Sequence, residues 1–97
     1  MKKVFISQPM RGKTDEEIIK EREKLVILAK AYAGEDIEVL DTFFKDFDGN
    51  ALEYLGKSIS MLAQADCAVF GRTWREARGC AIEHECCLRY DIPILID

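Results

Sequence analysis

Between Trp74 and Glu85 the chain gathers an indole, two guanidiniums, a glycine, several glutamates and its single histidine: Trp74-Arg75-Glu76-Ala77-Arg78-Gly79-Cys80-Ala81-Ile82-Glu83-His84-Glu85. The stretch joins an apolar run, Cys67 to Phe70, to a helical pattern. Glu83 stands four residues after Gly79, one helical turn on and roughly on the same face. A carboxylate over a cleft serves as nucleophile or general base, whereas an ordinary helix glutamate is solvated. At a helix start Gly79 lets a ligand approach backbone N–H groups that favour anions; the plainer alternative is that it permits close helix–sheet packing. Arg11 with Gly12, and Arg72, Arg75 and Arg78, supply the cations that a phosphate-bearing small molecule requires. Some of these arginines instead pair on the surface with Glu16, Glu76 or Glu85. Trp74 either stacks on a planar base or covers the core.

Cys80, His84 and Cys87 share a helix face. Metal ligation needs a fourth ligand and usually a knuckle-type cysteine pair, so packing cysteines and no metal are the expectation. His84 points about a quarter turn from Glu83 and either tunes the pocket, donates a proton or is a partly exposed helix histidine.

The elements that must position these groups follow from periodicity. Val4-Phe5-Ile6 is a short apolar run suited to a strand buried on both faces of a parallel sheet. The loop Ser7-Gln8-Pro9-Met10-Arg11-Gly12-Lys13 follows it. Thr14 and Glu17 form a capping box, and helical spacing from Ile18 to Ala29 with a stop at Gly34 predicts a first helix over about residues 15 to 33. Ile37 to Leu40 reads as the second strand, followed by Asp41-Thr42-Phe43-Phe44 and an acidic loop to Asn50. Leu52, Leu55, Ile59 and Leu62 predict a second amphipathic helix over 51 to 64. Cys67 to Phe70 is the third strand, the next helix ends near Tyr90, and Ile92 to Ile96 is the fourth strand, with Pro93 at its start.

A β-α-β-α-β-α-β chain with short connections predicts a flavodoxin- or Rossmann-like three-layer α/β/α fold, with a four-stranded parallel sheet in the order 2-1-3-4. That order sets the loops after strands one and three side by side at the carboxyl edge, where ligands bind. Ser7 to Lys13 and Gly71 to Glu83 are therefore expected to face each other.

The length of 97 residues gives one domain, 1–97, with any pocket at the surface or completed by another subunit. A net charge of −4 argues against binding a nucleic-acid polymer, since that affinity comes mainly from Lys and Arg. No apolar run approaches the ~20 residues of a membrane span. The opening Met1-Lys2-Lys3-Val4 enters a strand instead of a signal sequence, so a cytoplasmic location with Cys67, Cys80, Cys86 and Cys87 as free thiols is expected.

Taken together the chain resembles the nucleoside 2-deoxyribosyltransferase-like superfamily, in particular a small branch common in phages and prophages whose function is mostly unassigned. The resemblance runs through Lys3-Val4-Phe5-Ile6-Ser7-Gln8-Pro9-Met10-Arg11-Gly12, Ala65-Asp66-Cys67-Ala68-Val69-Phe70 and Ala77-Arg78-Gly79-Cys80-Ala81-Ile82-Glu83-His84-Glu85. Characterised members carry a glycine four residues before the glutamate that attacks the anomeric carbon, and Gly79 and Glu83 match that spacing. The resemblance implies cleavage of the N-glycosidic bond of a deoxynucleoside or its 5′-monophosphate, with Glu83 as nucleophile and transfer of the sugar to water or another base. It implies a small-molecule nucleoside or nucleotide bound by Ser7, Gln8, Met10, Arg11, Gly12, Trp74, Arg78 and Gly79, with Ser58 and His84 as accessory positions. It implies no metal or cofactor, and a homodimer or larger assembly that completes the site.

The chain departs from the family pattern at three positions. Phe5 stands where relatives have a tyrosine that hydrogen-bonds the nucleophile. Pro9 replaces a phosphate-binding serine and offers neither a hydroxyl nor an N–H. Ser58 replaces an aspartate that helps protonate the leaving base, a loss that slows glycosidic cleavage by ~10²-fold or more. Asp66 matches the family, and its place at the start of a strand suggests a structural role. The alternative function is therefore a non-catalytic nucleotide-binding or sensing module, a phage accessory protein, using the same cleft.

Overall fold

Each strand alternates its side chains between two faces, and each face carries its own helix layer. The computed structural model describes every residue except Phe43, Lys45 and Asp46; the predicted Asp41-Thr42-Phe43-Phe44 stretch holds the first and the acidic loop after it the other two, and these three lie outside the described residues. The elements run β1 (Lys2–Ser7), α1 (Asp15–Ala33), β2 (Ile37–Leu40), α2 (Ala51–Leu62), β3 (Cys67–Phe70), a 3₁₀ turn (Trp74–Glu76), α3 (Arg78–Arg89) and β4 (Ile94–Ile96). All three strand pairings are parallel, and the order is β2-β1-β3-β4, as the connection lengths predict. The fold is a three-layer α/β/α arrangement. The fourth strand is shorter than expected and begins after Pro93, whose carbonyl accepts from Ala68 N–H at 2.9 Å.

Val4 and Ile6 of β1, with Cys67 and Val69 of β3, pack under Leu25 and Ala29 of α1. Phe5, Ala68 and Phe70 face the other way, against Leu62 of α2 and Cys80 and Cys87 of α3. The central strands β1 and β3 are thus buried on both faces, which is why they read as continuous apolar runs.

Helix starts are set by side chains. Thr14 and Glu17 form the expected capping box on α1, and Gly34 closes that helix at φ +68° in the left-handed region. Asn50 and Glu53 form a second capping box on α2. Among the described residues no side chain caps α3, and its first turn carries no acid. Asp66 tethers the start of β3 to β1: its carboxylate accepts from Lys3 N–H at 2.7 Å, and its own N–H donates to the Lys3 carbonyl at 2.8 Å.

Candidate functional site

The site is built on the strand period. Because Phe5 faces the α2/α3 layer, Ser7 two residues on faces it too, and Gln8 turns to α1. On α3 the positions Cys80, Glu83 and Cys87 are buried together, the inward stripe of an amphipathic helix. Ser7 and Glu83 meet there, 76 residues apart in sequence, and the Ser7 hydroxyl donates to Glu83 Oε1 at 2.6 Å. Both residues are buried, Glu83 at 7% exposure.

Burial disfavours the charged carboxylate and pushes the Glu83 pKa up to about 7; the Ser7 hydrogen bond, which favours the ionised form, pulls the other way. Among the described residues no cation pairs with Glu83. Cys80 lies beside the same hydroxyl. Its thiol is pushed up to about 11, first by burial, against a hydrogen bond to Ser7 and with help from the Glu83 charge. It is a neutral wall of the site.

Tyr54, on α2, was not singled out by sequence. Its hydroxyl donates to the Thr42 carbonyl at 3.0 Å, accepts from Phe44 N–H at 3.3 Å and lies 3.5 Å from Met10 Sδ. Burial raises its pKa, and the Glu83 charge adds to that rise, so the phenol and the carboxyl share one electrostatic neighbourhood. Thr42 donates its hydroxyl to the Ile6 carbonyl at 2.8 Å, and Arg22 reaches Thr42 Oγ1 and the Leu40 carbonyl from α1. These contacts tie the ends of β1 and β2 to the loop that carries Met10. The available signal was position alone, a tyrosine in the first turn of the helix after β2.

The other nominated residues fall into distinct settings. Gln8 is buried on the α1 side, where its amide donates to the Ile18 carbonyl and to Glu21, both at 3.0 Å, while its Oε1 has no partner among the described residues. Met10 to Lys13 form a turn closed by Lys13 N–H to the Met10 carbonyl at 3.1 Å, and Gly12 takes φ +79°. That backbone conformation explains the glycine. Arg11, in the loop after β1, and Arg78, at the start of α3, are exposed, and the segments that bear them follow neighbouring strands at one sheet edge, where Gly71 N–H donates to the Ser7 carbonyl. A Cβ on Gly79 would meet only Leu55 Cδ1 at 3.8 Å, an ordinary contact, so packing does not demand a glycine there.

Trp74 is buried in the α2/α3 core, its ring stacked on His84 at 3.8 Å and 9°, with the Arg75 guanidinium 4.6 Å from its centroid. Its indole N–H has no hydrogen-bond partner among the described residues. Stacking on a nucleobase would require a neighbour, His84 or Arg75, to leave a face of the indole. The imidazole pKa is lowered, first by partial burial and then by the Arg75 charge. Ser58 is buried one turn after Tyr54 on α2. Cys80 and Cys87 are core side chains, and among the described residues no group of three His, Cys, Asp or Glu is arranged to hold a metal.

Two surface concavities lie elsewhere. One of about 540 Å³ runs between α1 and β2, and one of about 360 Å³ lies beside β4. Neither is lined by Ser7 or Glu83.

No protein-family model matches the chain, and no curated protein matches it.

Proposed function

We propose that the chain is a nucleoside or nucleotide N-glycosidase, or a 2-deoxyribosyltransferase-like enzyme, with Glu83 as the nucleophile. One observation carries this reading: a buried carboxylate at the carboxyl edge of a parallel sheet, held at 2.6 Å by a serine hydroxyl and paired with no cation among the described residues. With a pKa of about 7, Glu83 is close to half ionised at neutral pH, so a reactive carboxylate is present without a large cost to protonate it. In the ionised form it attacks the anomeric carbon as the C–N bond breaks and the electron pair leaves with the base. Water, or a second base, then releases the sugar from the glycosyl ester. Ser7 holds the carboxylate in one orientation. The uncapped start of α3 at Arg78 and Gly79, with Arg11 across from it, suits a 5′-phosphate. In this reading the protein is cytoplasmic and a homodimer or larger assembly, and a second copy helps to complete the site.

A second reading, a non-catalytic nucleotide sensor or phage accessory module, is favoured by Ser58. The inward stripe of α2 presents this hydroxyl and no carboxylate, so it supplies no acid for the leaving base.

Chromatography of freed base after incubation with a panel of deoxynucleosides and 5′-monophosphates tests both readings. The enzyme reading expects release that falls by at least ~10³-fold in Glu83→Ala. An intact panel sinks it. Thermal stabilisation by a monophosphate without turnover, lost in Arg11→Ala, then supports the sensor, and no thermal response sinks that as well.

A further inference from the structure

Phe44, Phe47 and Tyr54 form an aromatic cluster where the chain leaves β2 and enters α2. Their ring centroids lie 5.0 Å (Phe44 to Tyr54), 5.4 Å (Phe47 to Tyr54) and 6.3 Å (Phe44 to Phe47) apart, edge-on or tilted. A Cβ on Gly49 would lie 2.6 Å from Phe47 Cε2, so the glycine lets that ring sit against the backbone. The cluster already holds a cation. Lys57 Nζ lies 4.4 Å from the Phe44 centroid and 5.6 Å from that of Phe47. Lys57 is exposed and joins no ion pair among the described residues, so a flexible side chain, not a packed one, lies over the Phe44 face.

The cluster belongs to the Ser7–Glu83 edge. The Tyr54 hydroxyl lies 3.5 Å from Met10 Sδ, in the loop that follows Ser7, and it senses the Glu83 and Asp41 carboxylates together with the Arg22 guanidinium. Its neighbour Leu55 is the side chain that a Cβ on Gly79 would meet. A neutral base departing from a sugar takes the electron pair of the broken C–N bond and must be protonated as it goes. Among the described residues, the faces enclosing this edge offer only Glu83 as an acid, and the attack on the sugar uses it. The buried stripe of α2 is Ser58 and Leu62, and that of α3 is Cys80, Glu83 and Cys87. Tyr54 donates its proton to the Thr42 carbonyl, Cys80 stays a neutral thiol, and His84 is stacked on Trp74. A base that is already cationic has no need of an acid.

We propose that the substrate is an N-glycoside whose base is a fixed cation, an N7-alkylated purine or an N-linked pyridinium, seated over Phe44 in place of the Lys57 ammonium. The inference rests on the reading of Glu83 as nucleophile. The Glu83 carboxylate bonds to the anomeric carbon, the C–N bond breaks, and its electron pair cancels the positive charge of the ring. The base leaves neutral and no proton moves. Water then attacks the same carbon, the ester C–O bond breaks, Glu83 is a carboxylate again, and the proton of the water passes to solvent. The rings grip the positive base before it reacts, so they act on KM and leave kcat to Glu83.

Adding N7-methyl-2′-deoxyguanosine 5′-monophosphate and nicotinamide mononucleotide to the base-release panel tests it. Calorimetric titration compares 1-methylnicotinamide, a cation with no glycosidic bond, with neutral nicotinamide. The wild type cleaves at least one of the cationic monophosphates with kcat/KM at least ~10²-fold above that for 2′-deoxyguanosine 5′-monophosphate. Phe44→Leu raises its KM about tenfold with kcat little changed. Lys57→Gln, an exposed change that removes the competing ammonium, lowers KM about threefold. In titration 1-methylnicotinamide binds at least about tenfold more tightly than nicotinamide. Equal cleavage of cationic and neutral monophosphates overturns the proposal while the Glu83 reading stands. A preference whose KM neither variant changes overturns it too, since the lability of the bond then explains the rate. If nothing is cleaved but 1-methylnicotinamide binds preferentially, the Glu83 reading and the substrate claim fall and the cation site alone remains. Equal binding of 1-methylnicotinamide and nicotinamide overturns the cation site.

Discussion

Ser7 ends β1 and Gln8 follows it, and each donates to a glutamate, yet the two pairs are built differently. On the α1 side, Glu21 accepts from Gln8 at 3.0 Å, has Lys13 at 3.4 Å and keeps a fifth of its side chain in solvent. On the α3 side, Glu83 has the Ser7 hydroxyl, almost no solvent and no ion pair among the described residues. A cation and water make a carboxylate an inexpensive structural tie. Burial without a cation makes one whose protonation responds near neutral pH, a condition a fold tolerates only at some cost in stability. The contrast supports the proposal that any chemistry lies on the α3 side, while the α1 side anchors the loop.

The comparison breaks most visibly in stability. Folding raises the Glu83 pKa from 4.5 to about 7, so between those values the folded chain holds more protons than the unfolded one. Stability therefore falls as pH rises through that window and levels off above it. Glu83→Gln, a neutral mimic, is expected to gain up to roughly 3 kcal/mol at about pH 8 and nothing at about pH 4. Urea unfolding at both pH values measures it, and an equal gain at both would show that burial of the charge is not the cause. The matching change Glu21→Gln costs up to about 1 kcal/mol through its lost contact with Lys13 and brings no gain.

A smaller effect sharpens the role of the two donors. Ser7→Ala removes the hydrogen bond that favours ionised Glu83, so the carboxyl titrates roughly one pH unit higher. Carbon-detected NMR of the Glu83 carboxyl reads that midpoint. Gln8→Ala, acting on the other glutamate, leaves it in place; equal shifts in both variants would erase the distinction.

The smallest expected effect separates the glycines of the two sides. Gly79→Ala meets only Leu55 at ordinary distance, so the melting free energy changes by less than about 1 kcal/mol. A monophosphate that depends on close approach to α3 should nonetheless bind that variant at least about threefold more weakly in a titration. At Gly71 a Cβ would lie 3.0 Å from Glu21 Oε2 and 3.4 Å from Pro9, so alanine there disturbs the anchor itself.

The layout was legible because local signals agreed with one another. Four apolar runs, the Thr14–Glu17 box and Gly34 gave the first helix its observed ends, and short connections left one economical sheet order. Glu83 was legible as a position from its spacing to Gly79. Its partner was not, because the Ser7 contact spans 76 residues and depends on strand register, which a periodic pattern constrains only to a face. The same limit hid the inward turn of Gln8 toward α1. Tyr54 and Thr42 were missed because their contacts run to backbone carbonyls that only the folded β1–β2 edge brings near. The sequence leaves Trp74 open between stacking on a base and covering the core, and only the fold brings His84 against its ring.

That ring pair has an optical consequence. The chain has one tryptophan and one histidine, and they lie face to face at 3.8 Å where the 3₁₀ turn packs against the middle of α3. Indole emission is thus a built-in gauge of this one corner, without label or background from a second fluorophore of its kind. Any event that parts the two rings, whether a ligand entering at Gly79 or the first turn of α3 fraying, is reported in the colour and yield of the protein's own light.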